Sequence, residues 1–506
     1  MEAIKNLITM VSDIEFTIRA YLIAGFTWAL AAVLLASLNQ VQFFLILDLP
    51  PALDYGYARP LFALALIFGA LLSFFFAAAY HIIKTVTGAN PKLALAAWAG
   101  FKLHQFALVL GIVTILAGYN AGREYGEMTW ISDNLLVIAL ALFLATAIEA
   151  LKSSGKSDMA ATYSIVAAAG GLIVYLLGNI GLPTGPLTHV PLFRGMEDAA
   201  IQEFYRTGVL GYFILFPLFT MLYFFIPSYY KAPLYSERMA AFTVFGMLVM
   251  IPFAAAAGLA LSAAPALLQT QGVFASIALA AAILAGGLNA QYTISRSEKH
   301  YASDAIGLMM RYGVFFLMAT AILRAVMSPF FMQAHFAYTG LNLRDLGRDG
   351  LTYGLLIAMG ASLIVAQKIT NRTMSKGTVK IAAFTLGMGA LLIFIGDLAQ
   401  GFIQGGVQSE TAVENGVTSV VISAWSEIIF AGTLYQGSGE AGQFLLSLSA
   451  LHFVGVLLIT IGTVAVSFGF YLLMAGAGTE GYSEPDLVNK NRIETPVPAA
   501  APHGAH

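Results

Sequence analysis

The apolar positions of this 506-residue chain fall in long, nearly unbroken blocks, not in alternating or one-sided patterns. Twelve blocks recur, approximately at 17–40, 60–83, 94–118, 131–151, 160–182, 200–226, 238–264, 272–295, 305–330, 349–370, 379–404 and 442–475. At about 1.5 Å of rise per residue, each is long enough to cross a ~30 Å hydrocarbon core as a helix. Inside lipid every backbone N–H and C=O must find its partner within the chain, which leaves helices and closed barrels as the only spanning forms. The period-two alternation of a barrel strand is missing from these blocks. The pattern predicts an all-α, polytopic membrane bundle of about twelve transmembrane helices. It divides the chain into a cytoplasmic N-terminal segment at 1–16, a membrane domain at 17–475, and a polar tail at 476–506. The tail is rich in Pro and Ala, ends PVPAAAPHGAH, and reads as disordered. The connection 405–440 holds an apolar stretch near Val417–Leu434, broken by Glu427, and reads as a surface helix or a re-entrant piece.

Composition agrees with this picture and removes several chemistries. Residues are 59% hydrophobic and 10% charged, against roughly 25% charged in soluble domains. With no cysteine, disulfides, iron–sulfur clusters, thiolate zinc sites and thioether-linked heme are excluded. A net charge of −2 gives no reason to expect nucleic acid. Residues 1–16 lack the layout of a cleaved signal peptide, so the first span is expected to be retained. Twelve Lys and Arg residues in the loops after even-numbered spans, among them Lys84, Lys152, Lys231 and Lys376, face five in the opposite loops. That bias places both termini in the cytoplasm. The opposite face carries Asp48, Asp54, Glu124, Glu127, Asp133, Glu197, Asp198, Glu410 and Glu414. Such a face suits a cationic partner; ordinary solvated loop charge is the alternative.

Five stretches narrow the choice of fold: Arg59-Pro60-Leu61, GYNAGREYGEMTW at 118–130, FFIPSYYKAPLYSERM at 224–239, GGLNAQYTIS at 286–295 and GDLAQGF at 396–402. In their order and spacing they resemble the heme-copper oxidase superfamily. Within it they resemble the C-family (cbb-type) cytochrome c oxidase catalytic subunit, over about residues 16 to 475. The resemblance implies six histidines and a tyrosine. Two histidines clamp a low-spin heme, one holds a high-spin heme, three hold copper, and the tyrosine serves bound oxygen. Laid on that pattern, this chain has Phe62 at the span 2 heme ligand and Thr207 at the first copper ligand. Ala257 and Gly258 stand at the adjacent pair of copper ligands, and Asp345 and Gly347 at the His-x-His pair. Leu317 takes the tyrosine position and Leu323 that of an embedded glutamate. Phe, Ala, Gly and Leu side chains do not ligate, and a lone Asp or Thr is a poor ligand for heme iron. The expectation is an oxidase-type frame without its metals; heme b remains open through relocated imidazoles. Of His81, His104, His189, His300, His335 and His452, His104 and His335 are the candidates for such a relocated ligand. The alternative is a hydrogen-bonded histidine at a helix interface.

Charge within membrane spans is costly and therefore informative. Arg206, Arg324, Arg344, Asp345, Arg348 and Asp349 gather near the lost ligand positions, with Lys102 in span 3 and Asp397 in span 11. In the family, outer arginines pair with heme propionates, and Asp345 and Asp349 could take the place of those carboxylates. The first hypothesis is an Arg–Asp network in the vacated space, helped by Phe62 and Leu317, with the small residues AAAAGLA of span 7 letting helices close in. The second is an ion path lined by Tyr205, Arg206 and Thr207 with Lys102 as a relay. Three functions follow as expectations. The leading one is a cofactor-free scaffold subunit in the bacterial inner membrane that anchors c-type cytochrome subunits on its outer face, among lipid and other respiratory-complex subunits. The second is an active cytochrome c oxidase or nitric oxide reductase with relocated heme ligands. The third is an ion-translocating subunit.

Overall fold

The computed structural model describes residues 10–44, 49–179, 181–296, 305–336, 339–409, 412–414, 417–419 and 440–480. Among them are twelve helices long and apolar enough to cross a membrane. They are α1 (Ile14–Gln42), α2 (Tyr55–Thr87), α3 (Ala94–Leu116), α4 (Trp130–Ser154), α5 (Met159–Gly178) and α6 (Met196–Tyr229). The second half comprises α7 (Glu237–Leu259), α8 (Ala266–Ser295), α9 (Ala305–Met327), α10 (Asp345–Thr370), α11 (Lys376–Gly405) and α12 (Ser449–Met474). Helices α6, α8 and α10 begin several residues before the apolar blocks do. Their first turns carry Glu197, Asp198, Gln269, Asp345 and Asp349; hydropathy registers the apolar core of a helix and misses its polar end. Side-chain caps start two of the helices. Asp158 accepts from the Ala160 amide at 3.1 Å ahead of α5, and Ser236 from the Met239 amide at 3.3 Å ahead of α7. The apolar stretch expected at Val417–Leu434 lies outside the described residues beyond Ser419, as does the tail beyond Glu480.

Helices α2, α6 and α10 form the centre and are buried through nearly all of their most apolar stretch, whereas in the other nine about half of that stretch is buried. A helix apolar on every side, such as LFALALIFGALLSFFFAAAY in α2, can be satisfied only by neighbours all round. The centre is aromatic: the Phe68 ring lies 5.6 Å from Tyr175 and 5.3 Å from Phe213, both edge-on. At the periphery, α11 and α12 cross at bare backbone. A Cβ on Gly389 would lie 2.7 Å from the Gly455 carbonyl oxygen, and one on Gly455 2.8 Å from that of Gly389.

All three central helices leave α-helical geometry once. Each widens to a π-helical stretch, at Leu64–Leu71 in α2, Leu210–Leu215 in α6 and Gly350–Gly354 in α10. Helix α7 instead tightens to a 3-10 turn at Ala255–Leu259. Such departures cost backbone energy and persist where surrounding packing imposes them, often at functional sites.

Candidate functional site

The four irregular stretches stand beside the six positions at which the sequence resemblance expects ligands. Phe62 precedes the π stretch of α2, Thr207 that of α6, and Asp345 and Gly347 that of α10, while Ala257 and Gly258 lie within the tight turn of α7. The structure sorts these positions around two cavities. A small one of about 80 Å³ is lined by Phe62 and Gly347, with Arg59, Glu124, Glu127 and His452. A larger one of about 290 Å³ is lined by Thr207, Ala257, Gly258 and Asp345, with Glu203, Arg206, Arg324 and Arg348. The small residues of α7 let its backbone close in on α8 and also line the larger cavity. The backbone of Ala256 and Ala257 packs directly on Gly272 of α8, yet the missing side chains leave the larger cavity open. Leu317 is buried but lines neither cavity.

Polar side chains of the larger cavity are tied into ion pairs. Arg206 Nη2 donates to Asp345 at 2.8 Å, and Asp345 also accepts from the Tyr125 hydroxyl at 3.1 Å and the Leu346 amide at 2.7 Å. Asp349, fully buried, accepts from Arg324 and, at 3.3 Å, from Arg348 Nε. Arg348 Nη1 reaches the Leu341 carbonyl at 2.6 Å, and Arg344 Nη1 donates to Gln400 at 3.2 Å. Arg206 Nε is buried and has no hydrogen-bond partner among the described residues. Charges of both signs thus occupy the ends of α6, α9 and α10 where they meet. Breaking one side of such a buried pair leaves a stranded charge, which is why these groups depend on one another.

The histidines are spoken for in different ways. His104 is fully buried: Nε2 meets the Phe68 carbonyl at 2.8 Å, Nδ1 meets Gln105 at 3.2 Å, and the ring lies among Tyr21 and Phe76. His335 sits in a short helix, Phe330–Phe336, against Phe336. Neither lines either cavity. His452 does line the smaller one, and its Nδ1 is held by buried Asp397 at 2.6 Å. Sequence reading singled out Asp397 for its charge within a span but could not pair it with a histidine 55 residues away. It also missed Glu203, which projects beside Arg206 at 3.9 Å. For the ion path, Arg206 and Thr207 line the larger cavity, but the Tyr205 hydroxyl donates to the Tyr125 carbonyl at 2.8 Å. Lys102 is exposed, 4.8 Å from the Trp98 ring centre, and lines neither of the two cavities.

The face expected to be acidic is partly neutralised. Arg59 bonds Glu124 at 2.6 Å, and buried Arg123 bonds Asp198 at 2.7 Å. Asp133, expected among the surface acids, is instead 7% exposed and accepts from the Tyr175 hydroxyl at 2.6 Å. It lies in the first turn of α4 on the side facing α5, which loop counting cannot see. Glu127, on the connection before α4, has its carboxyl pushed up to about 8 by burial, with the Glu124 charge adding to the effect.

The residues around the cavities do not fit a heme clamped by two imidazoles or a copper held by three. A single imidazole, His452, lines them, and the carboxylates of the larger cavity already bind arginine. Among the described residues there is no group of three or more His, Cys, Asp or Glu arranged to hold a metal ion.

Residues 17–435 match the family model described as cytochrome c and quinol oxidase polypeptide I. The chain is 23% identical over 404 residues to the Cbb3-type cytochrome c oxidase subunit CcoN1 of Stutzerimonas stutzeri, covering 77% of this chain and 83% of that one. It is 24% identical over 330 residues to a cytochrome c oxidase subunit 1 homolog of Agrobacterium tumefaciens, covering 64% and 61%. With a subunit of a heme-copper terminal oxidase dimer solved by cryo-EM it shares 13% identity at a TM-score of 0.68, over 92% of this chain and 85% of that one. At that identity the likeness speaks for the fold.

Proposed function

From the premise that this chain belongs to the cytochrome c and quinol oxidase polypeptide I family, we propose that it serves as a cofactor-free anchor subunit of a respiratory electron-transfer complex. In this reading the membrane frame and its irregular helices are retained, and buried ion pairs take over the space around the former metal positions. The observation that carries the reading is the convergence of Thr207, Ala257, Gly258 and Asp345 on one cavity, in which Arg206 and Asp345 bond each other at 2.8 Å. Phe62 and Gly347 meet at the other cavity. A retained frame without its donors keeps the surfaces on which partner subunits assemble. Exposed Asp54 and Glu197 offer negative charge on the outer side for c-type cytochrome subunits.

A second reading has one observation in its favour. Asp397 holds Nδ1 of His452, which leaves Nε2 as a possible donor at the edge of the smaller cavity, with a carboxylate behind the imidazole as metal ligands commonly have. The relocated-ligand enzyme would start from that imidazole.

Isolation of the tagged protein from native membranes in mild detergent separates the two. Anchoring predicts co-purifying c-type cytochrome, detected by heme staining at a mass other than that of this chain and stripped by salt. Recovery of the chain with no redox partner at low and high salt contradicts the anchor role. A b-type heme that stays with the chain and is lost in His452→Ala favours the relocated-ligand reading.

A further inference from the structure

The surface between α9 and α11 carries a groove of about 540 Å³ that belongs to neither former metal position. Two helical stripes line it, Leu308, Tyr312 and Phe315 from α9 and Phe384, Met388 and Leu391 from α11. Spacings of three, four and seven residues put each set on one face of its helix. Phe384 is 65% and Phe315 55% exposed, so the groove opens outward and is not part of the core. It exists because α11 has Gly387 opposite Tyr312, where an added Cβ would lie 2.7 Å from the ring.

One end of this groove is cationic. Arg311 lines it beside Gln291 of α8. Lys380, exposed, stands one turn before Phe384 on the same face of α11. Among the described residues neither cation is paired with a carboxylate, and the Arg311 charge acts on the nearby Tyr230 hydroxyl. Arg311 stands on the Lys- and Arg-rich side of α9, near the first described residues of that helix. A long cationic side chain at that end reaches the headgroup region, where a lipid phosphate can meet it. From Lys380 the α11 stripe runs eleven residues to Leu391, about 16 Å, close to half of a ~30 Å hydrocarbon core. The cationic end is the side on which the chain's lysines and arginines are concentrated, the side where anionic lipid is met.

We propose that this groove is a binding site for one anionic phospholipid, with its phosphate between Arg311 and Lys380 and an acyl chain lying along the Phe315–Met388 floor to the membrane midplane. The length matches one leaflet, the walls are apolar, Arg311 lines the end of the groove, and Lys380 stands one turn before Phe384 beyond it. A neutral quinone would fill the apolar part but leave both cations unanswered.

Native mass spectrometry of the full-length, detergent-solubilised protein titrated with phosphatidylglycerol, phosphatidylethanolamine or a quinone tests the assignment. The expected result is one phosphatidylglycerol retained at least about tenfold more tightly than phosphatidylethanolamine. Each cation near a lipid surface contributes roughly fivefold, so Arg311→Gln with Lys380→Gln should lose about twenty-five-fold. Arg296→Gln, which removes a cation stacked on Tyr235 away from the groove, should change nothing. Equal retention of the two lipids, insensitivity to the double substitution, or displacement of phosphatidylglycerol by the quinone would overturn the proposal. Should the double variant fail to assemble, Leu391→Trp places a fluorophore at the deep end. Its emission should be quenched more by brominated phosphatidylglycerol than by brominated phosphatidylcholine, and equal quenching rejects the site.

Discussion

Replacing Asp345 by Asn tests whether the ion-pair network carries the stability of the centre. The change keeps shape and removes charge. It leaves the Arg206 guanidinium facing a neutral amide, and the Asp345 side chain loses a 2.8 Å charge-assisted bond while keeping an acceptor for Tyr125. One-sided disruption of a buried pair costs roughly 3–5 kcal/mol. With 23% of the Arg206 side chain and 12% of that of Asp345 exposed, solvent screening argues for the lower end, about 3 kcal/mol. At ~2.1 cal/mol/K per residue, a chain of this size unfolds with an entropy of about 1 kcal/mol/K, so the midpoint should fall by about 3 °C. The assay is thermal unfolding of the detergent-solubilised protein, run as a double-mutant cycle with Arg206→Gln. A coupling of at least about 1.5 kcal/mol is expected, because the two residues act on each other directly. A midpoint within half a degree of the parent (about 0.5 kcal/mol), or strict additivity of the two substitutions, would refute the network as a structural element.

Three further outcomes follow from individual contacts. His452→Ala should destabilise more than Asp397→Asn, by about 2 kcal/mol in the same melts, since the first strands a fully buried carboxylate whose Oδ2 already has no partner, while the second leaves two neutral groups that can still bond; the reverse order contradicts the assigned pair. Gly389→Leu should prevent the close crossing of α11 and α12 and lower the yield of folded protein severely, whereas the same change at exposed Gly377, outside that contact, should be tolerated; equal yields reject the packing. Glu127, raised to about 8 from 4.5, binds its proton more tightly folded than unfolded, so its contribution to stability is full below about pH 4.5 and is lost as pH rises to about 8. Melts between pH 6 and pH 9 should therefore show a decline that Glu127→Gln flattens, and parallel pH profiles for the two proteins would exclude Glu127 as the cause.

Much of the frame can be read from the sequence because lipid makes the code simple: twelve apolar blocks are twelve helices. Resemblance then orders those helices well enough to name Phe62, Thr207, Ala257, Gly258, Asp345 and Gly347, and folding brings them to two cavities. Partner choice was less legible. Asp397 and His452 lie on helices α11 and α12, and only tertiary packing joins them at 2.6 Å. Asp133 looked like loop charge because its burial depends on Tyr175 of the next helix. Nor did the row AAAAGLA reveal that close backbone packing on Gly272 could coexist with an open cavity next to it. The π-helical turns are invisible to hydropathy altogether, since widening a helix changes its hydrogen bonds and not its composition.

What the isolated chain carries distinguishes an anchor from an enzyme most directly. Pyridine hemochrome spectra combined with iron and copper analysis of the purified full-length protein, freed of partners by salt, give that directly. Anchor function with the vacated positions predicts well below one heme and one copper per chain. One heme per chain, held tightly and showing an ordered axial-ligand spectrum, would mean that the side chains around these cavities still bind iron and that the central claim is wrong.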